Sequence, residues 1–526
     1  MFDILAEAID RLPLDGVFFN MIGYPTRDYS GRHLGICHCE GCRTRFREMY
    51  GMELPAKEDP RDPVFRAYQQ FKERTIREQF LRVQALIKSK NPGLAICTYT
   101  DAGVDVIRKE SNTPKGRWLY EDSEKARLTR LRHPDQQLAN AAVHFFHYPH
   151  RHTAVSPWLT LRRLCQHMVN GAWLDFYCIG PLHTLEDRFG LAQVREVFRF
   201  HAANECWLTN TVSLADVALV ADGPCDPDEW RGLFRILSER HVSFRLVLAA
   251  TMDLTNYPCV IAPDGGRLAD DIQRRLDKYV RAGGRLLLTG PKAPTAVATL
   301  GLQKELPALP REKGTYIRIR PADKARLLES EFNDLDLLFL DGPLGRAEFH
   351  TEVEGLLRYI PPAMFGPPEK CYYTNVSDIP ALHVRQADPG VVAWLPWHVG
   401  AHYEQQGHAG HAALLDGLLK GVLKAPRTAA LAGPEQVEMV HRGDPAGRFE
   451  WVSLLNLSGM MDGVAHAPIP VRNVGVRVRP RAPVTRVRLL HAGEPVRFHR
   501  RGDGSVECTV PELRDFEIVL FETTKP

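Results

Sequence analysis

Between Asp62 and Lys90, apolar side chains recur every three or four residues: Val64, Tyr68, Phe71, Ile76, Phe80, Val83, Leu86 and Ile87. That spacing predicts one long helix with a single apolar stripe. Around it, from residue 1 to about 210, short apolar runs at Gly16–Asn20, Leu94–Thr100, Val104–Arg108, Ala141–Phe146 and Leu174–Ile179 read as strands. A further helix, Trp158–Val169, starts beside Pro157, whose missing N–H costs nothing in a first turn. Strands alternating with helices predict an α/β arrangement around a parallel sheet. Five strands fall short of the eight that close a (β/α)8 barrel, so this stretch is either the later part of such a barrel or an open sheet.

The texture changes from about residue 212 to 428. Strands at Asp216–Val220, Ser243–Leu248, Cys259–Ala262 and Arg285–Thr289 alternate with helices at Asp228–His241 and Leu268–Ala282, and Gly283-Gly284 closes the second helix. This pattern predicts a doubly wound, flavodoxin-like domain with no glycine-rich nucleotide loop. From residue 429 to 526 the helical period disappears. Val437–Val440, Phe449–Asn456, Gly475–Val478, Val484–Leu490, Pro495–Arg500, Val506–Val510 and Phe516–Phe521 read as closely spaced strands, with Asp503-Gly504 as a hairpin signal. A small β-sandwich is expected there. The expected domains are therefore 1–211, 212–428 and 429–526.

Composition narrows the class. With 526 residues, 44% hydrophobic and 25% charged, the chain reads as an ordinary globular protein of several domains. A net charge of +3 gives no reason to expect a nucleic acid or a membrane surface as partner. No apolar run approaches the roughly 18 residues of a membrane span. Eleven cysteines, an odd number and mostly scattered, read as reduced thiols in a cytoplasmic protein. The first residues, Met1 to Ile9, read as an amphipathic helix without the features of a signal peptide.

One cysteine group stands out: Cys37, Cys39 and Cys42 form a C-x-C-x2-C cluster opening an Arg-rich helix. Tetrahedral zinc takes four ligands and the cluster offers three, leaving His33, His38 or water as the fourth, or plain thiols with no metal. No organic cofactor is expected.

Taken together, the parts resemble a known family. Asp15-Gly16-Val17-Phe18-Phe19 is followed by Cys37-His38-Cys39-Glu40-Gly41-Cys42, then Arg108-Lys109-Glu110-Ser111-Asn112, Tyr148-Pro149-His150-Arg151 and Asn170 to Tyr177. Later come Ala262-Pro263, Tyr279 to Gly284 and Trp394 to Gly400. This order resembles the family 42 β-galactosidases and a related group of hypothetical glycosyl hydrolases carrying a β-galactosidase trimerisation domain. The resemblance implies a clan-A TIM barrel, here lacking its first three βα units, so that Gly16–Asn20 stands as strand four. It also implies a fourth zinc cysteine from an earlier barrel loop, a homotrimer built through the middle domain, and a β-galactoside-like glycan as substrate.

Glycoside hydrolysis uses two carboxyl groups in opposite roles. In the family the acid stands at the end of strand four and the nucleophile at the end of strand seven. Here those places hold Asn20 and the run Val143-His144-Phe145-Phe146-His147-Tyr148. The remaining carboxylates near strand ends are Glu110, Asp175 and Asp101. Glu110, following Val104–Arg108, reads either as catalytic or as a loop charge. Asp175 sits inside a strand and must be hydrogen-bonded or functional, while Asp101 reads as a helix cap or a partner acid. Asn20, Tyr99, His144, His147, Tyr148, Arg151 and Tyr177 are expected substrate contacts; the histidine run also reads as a metal or proton site, or as a surface loop. Two functions compete: a glycoside hydrolase with paired carboxylates, and a catalytically inactive sugar-binding or scaffold homologue.

Overall fold

A proline at the first helical position and an aspartate just before it start the longest helix of the chain. The Asp62 carboxylate accepts the Val64 N–H at 2.9 Å, and Pro63 occupies the first turn. The computed structural model describes every residue except 21, 22, 29, 114–116, 351, 364, 365, 525 and 526. The chain divides into two units, Met1–Arg117 with Glu121–Arg199, and Trp118–Tyr120 with Phe200–Pro526.

The first unit contains α1 (Phe2–Arg11), β1 (Gly16–Phe18), α2 (Glu40–Tyr50), α3 (Pro63–Lys90), β2 (Ala95–Thr98) and β3 (Val106–Ser111). These are followed by α4 (Glu121–Arg132), β4 (Gln137–Val143), β5 (Phe145–His147), β6 (His150–Ala154), α5 (Pro157–Val169) and β7 (Trp173–Tyr177), and α6 (Leu191–Leu208) leads out of the unit. Strands β1-β2-β3-β4-β7 lie side by side in that order, all parallel, as a half-barrel sheet. Period-two alternation gives this sheet two unlike faces. Val17, Ile96 and Ile107 pack on Phe80, Val83 and Ile87 of α3. The opposite face presents Phe18, Arg108, Glu110, Trp173, Asp175 and Tyr177, of which Phe18 is 47% and Trp173 51% exposed.

Two predicted strands are displaced. The strand expected at Val104–Arg108 runs instead over Val106–Ser111. Asp105 spends its backbone N–H on the Ile96 carbonyl and its carboxylate on the Ile96 N–H and Lys88, which holds it in a turn. The strand expected at Ala141–Phe146 is Gln137–Val143, and the histidine run beyond it forms the β5–β6 hairpin turning at Tyr148-Pro149.

The second unit holds a mixed seven-stranded sheet. Val217–Val220, Phe244–Val247, Cys259–Ala262, Arg285–Thr289 and Gly390–Leu395 pair in parallel in the order 2-1-3-4-5, and Leu382–Ala387 and Glu354–Leu356 extend it antiparallel. Helices Pro227–Glu239 and Val399–Gln406 cross backbone to backbone, because a Cβ on Gly232 would lie 1.8 Å from the Gly400 carbonyl oxygen. Gly283, at φ +98°, lets the helix Asp270–Arg281 stop, as expected. Short antiparallel pairs, Leu302–Leu309 with Leu344–Phe349 and Thr315–Arg318 between Leu337–Leu340 and Arg358–Ile360, were not foreseen in the sequence.

The C-terminal part is built on two larger antiparallel sheets, with a short two-stranded pair, Met460–Met461 with Val464–Ala465, beside them in sequence. One, of six strands, is centred on Phe449–Asn456 and Phe516–Thr523; the other, of four, runs Ala429–Ala432, Val471–Val478, Val506–Leu513, Phe498–Arg500. Both contribute to one apolar core that includes Val452, Leu454, Val476, Val510 and Phe521. Among the described residues, no helix is long and apolar enough to cross a membrane.

Candidate active site

In parallel strands, residues in register on one face stand side by side. Glu110 on β3 pairs with Ala141 on β4, and Ala141 pairs with Asp175 on β7. One methyl group therefore separates the two acids along the row. Two residues back along β3, Arg108 shares their face and reaches both: its Nε donates to Asp175 Oδ2 at 2.7 Å and its Nη1 to Glu110 Oε1 at 2.6 Å. The same Nη1 donates to the Tyr99 hydroxyl at 2.6 Å. The Arg108 guanidinium also lies 5.3, 5.5 and 5.6 Å from the ring centres of Phe18, Tyr99 and Tyr177.

Glu110 is saturated by donors. Besides Arg108, Tyr99 donates to Oε1 at 2.7 Å and Tyr148 to Oε2 at 3.0 Å. Burial, reinforced by Glu110, pushes both phenols above their ordinary range, so they stay protonated and able to donate. Burial works against the charge on Arg108, but Asp175, Tyr99 and Glu110 outweigh it and raise its pKa. Of the two acids, Asp175 is the more open, with 28% of its side chain accessible against 12% for Glu110.

The other predicted contacts divide. Tyr177 stays with the cluster through Arg108 and packs on Phe145 at 5.4 Å. Arg151 lies over the Tyr148 ring and donates to its carbonyl, bracing the hairpin. His147 and His150 face each other, their Nδ1 atoms 3.3 Å apart. His144 is buried, its Nε2 2.8 Å from the Asp187 carbonyl and its ring against Phe176. Asn20 is exposed beyond the end of β1.

Asp101 does not join the acids. It caps no helix, since a turn follows it, and its carboxylate faces His133 at 3.8 Å. Glu110 is not a loop charge either; it lies within β3, and its carbonyl accepts from Lys125 at 2.9 Å. Arg108 was visible in the sequence only as a neighbour of Glu110. The signal that identifies it is the i, i+2 spacing, which puts both on one face once the strand is extended to Ser111.

Directly behind this row, between β3, β4 and helices α4 and α5, lies a buried polar cluster that the sequence did not reveal. Asp122 and His167 are fully buried and 3.1 Å apart, and Asn140 Nδ2 lies 2.6 Å from His167 Nε2. Ser111, next in sequence to Glu110, donates to Asp122. Arg163 donates to the carbonyls of Val143 and Thr113 at 3.1 and 2.5 Å. Burial opposes the charge on Asp122, yet His167, Arg163 and Arg162 overcome it and hold the carboxyl far below its ordinary range. Burial lowers Arg163 to about 10.

The three clustered cysteines lie at the start of α2, with their sulfurs within 4.8 Å of one another. Cys39 caps the helix, its Sγ accepting the Cys42 N–H at 3.4 Å. Burial and the neighbouring thiols push Cys42 up to about 12, a cost that a bound cation removes. This donor set fits a soft divalent metal such as zinc. His33, one expected fourth ligand, is instead bonded to Glu58 at 2.9 Å. Among the described residues no further Cys, His, Asp or Glu joins the three, and the histidines of the hairpin form no comparable group.

Searches with the sequence find no matching family model and no matching curated protein. The solved structures do match. The α-L-fucosidase isoenzyme 2 of Paenibacillus thiaminolyticus superposes with a TM-score of 0.75 at 19% identity, covering 100% of this chain and 80% of the fucosidase. The β-galactosidase of Bacillus circulans sp. alkalophilus gives 0.64 at 15% identity, covering 99% of this chain and 81% of the other. Gan42B, a GH42 β-galactosidase from G. stearothermophilus, gives 0.63 at 13% identity, covering 99% and 80%. At these identities the likeness speaks for architecture alone: over nearly its full length, this chain has the fold of these glycoside hydrolases.

Proposed function

We propose that the protein is a glycoside hydrolase acting on a β-galactoside-like or related glycan. The observation that carries this reading is the convergence of Glu110 and Asp175 on one guanidinium, on the half-barrel face that also bears Tyr99, Tyr148 and Tyr177. All three side-chain partners of Glu110 donate, which suits a carboxylate acting as nucleophile or base and leaves it no acceptor for a proton of its own. Asp175, the more exposed of the two and with one oxygen not bonded to Arg108, is assigned the second carboxyl role, delivery of a proton to the leaving group. Exposed Trp173 and Phe18 on the same face supply rings for a sugar to stack on.

In this reading the first unit is part of a TIM barrel, and the chain divides at about residues 211 and 428 into barrel, flavodoxin-like trimerisation domain and β-sandwich. The assembly is a homotrimer in the cytoplasm. Purified protein screened against a panel of nitrophenyl glycosides should release nitrophenol from at least one galactoside or related sugar. A second reading, an inactive sugar-binding homologue, draws on two observations: the acids sit at neither of the family's two positions, and Arg108 bridges them both. Saturable sugar binding across the panel without release would favour it.

Zinc at Cys37, Cys39 and Cys42 completes the proposal as a structural brace for the α2 loop, with no part in the reaction. Metal analysis should find about one zinc per chain. Cys39→Ser with Cys42→Ser should remove it and lower the melting temperature. A freshly purified chain without zinc would leave these as ordinary thiols.

A further inference from the structure

The outer face of the four-stranded C-terminal sheet carries a groove of about 700 Å³, a size typical of ligand sites. Its floor is nearly bare of side chains: Ala432, Gly475 and Thr509 stand in register across three strands. Beside that row runs a second, Ala430, Arg477, Glu507 and His499, crossing all four strands. Three strand spacings of about 4.8 Å make the trough roughly 14 Å wide, room for more than a single small ion.

The charge of this trough is unbalanced. Arg477, Arg497 and Arg501 line it against a single carboxylate, Glu507. Glu507 is already engaged by Arg501, at 2.7 Å from its Nε. Arg477 and Arg497 have no ion pair or side-chain hydrogen bond among the described residues, and both are exposed. Guanidinium forks without a partner are suited to bidentate recognition of carboxylate or sulfate. His499 is the single aromatic ring among the described lining residues, with no Phe, Tyr or Trp beside it, so the groove lacks the run of stacking rings on which single-stranded nucleic acid is held.

We propose that this groove binds an acidic oligosaccharide, with the carboxylate or sulfate groups of the glycan held by Arg477 and Arg497. The saccharide half of this assignment rests on the glycosidase reading above; the anionic half rests on the groove itself. The site lies apart in sequence from Glu110 and Asp175, so binding is measurable without turnover.

Calorimetric titration of the full chain with a uronate oligosaccharide, a sulfated oligosaccharide, the neutral oligosaccharide of the same length and inorganic sulfate distinguishes the sources. At least one acidic oligosaccharide should bind, weakening with added salt. Arg477→Ala with Arg497→Ala should reduce its affinity about tenfold or more, while Glu110→Gln leaves it unchanged. Thr509→Glu, which puts a negative charge on the floor, should do the same as the double variant. Melting temperatures should be unaffected, because all three side chains are exposed. Equal binding of the neutral oligosaccharide or of sulfate alone, no binding of either acidic one, or unchanged affinity in folded variants would overturn the proposal. A chain that binds acidic glycan but turns over no glycoside would retain the groove and discard the hydrolase reading.

Discussion

Glu110→Gln should lower the turnover of a responsive glycoside by about 10²–10⁴-fold while leaving sugar binding measurable. The substitution is nearly isosteric and keeps the strand intact, but it replaces an acceptor-only carboxylate with an amide whose NH2 must face donors. Arg108, Tyr99 and Tyr148 all point hydrogens at this group. The amide can satisfy one side of the carboxylate and not the other. Loss should fall on kcat, since Glu110 is asked to act on the reacting carbon or a water and only secondarily to hold substrate. Asp175→Asn should also be impaired, but substrates with good leaving groups, which need no proton, should lose less. Asp101→Asn serves as the control and should behave as wild type, because its carboxylate faces His133 and not the row of acids. If Glu110→Gln retained most of the wild-type kcat, the assignment of this row as the catalytic centre would fail.

The largest stability effect should come from Asp122→Ala. This carboxylate has 0% exposure and is the shared anion for Ser111, His167 and the buried Arg162, whose Nη2 lies 3.9 Å away. Removing it leaves buried cationic groups uncompensated, a change worth about 3–5 kcal/mol. In a unit of this size that corresponds to a melting temperature lower by roughly 10 °C, or to loss of soluble protein. The pH dependence follows from the sign of the shift. Asp122 is held below its unfolded value, so its contribution is complete above about pH 4 and is lost as pH falls further toward the folded pKa. The stability difference between wild type and Asp122→Ala, followed by urea denaturation, should therefore be flat from neutral pH to about 4 and shrink below it. A difference already shrinking between pH 7 and 5 would mean that the carboxyl is not held ionised by its neighbours. Since Ser111 adjoins Glu110, this cluster also fixes the end of β3 that carries the acid.

Where local chemistry decides the structure, the sequence was legible. Asp62 and Pro63 mark the start of α3, Gly283 marks the end of a helix, Asp503-Gly504 forms the expected hairpin, and Phe449–Asn456 is a strand over its predicted span. Where partners arrive from far along the chain, it was not. Arg108 to Asn112 is a run of five polar residues with no strand signature. It is extended because Arg108 finds Asp175, 67 residues on, and Ser111 finds Asp122 and Asn140. The histidine run failed for the opposite reason. Its aromatic residues resemble a continuing strand, but His144 donates its backbone N–H to the Tyr177 carbonyl and the chain turns into a hairpin. Of the candidate site, Glu110, Asp175, Tyr99, Tyr148 and Tyr177 come together, Asp101 and His144 do not, and the guanidinium that links them was recognisable only in three dimensions.

The half-barrel sheet has two unpaired margins. Its outermost strands are β1, of three residues, and β7, of five, and among the described residues nothing bonds to their outward backbone groups. Each margin also carries a half-exposed ring, Phe18 on one and Trp173 on the other. A row of free amides and carbonyls beside an accessible ring is a template for strand addition. The shortness of β1 limits what can adhere there, whereas β7 is long enough to pair stably. The Trp173 margin is accordingly the place where an added charge should most oppose pairing with a second strand.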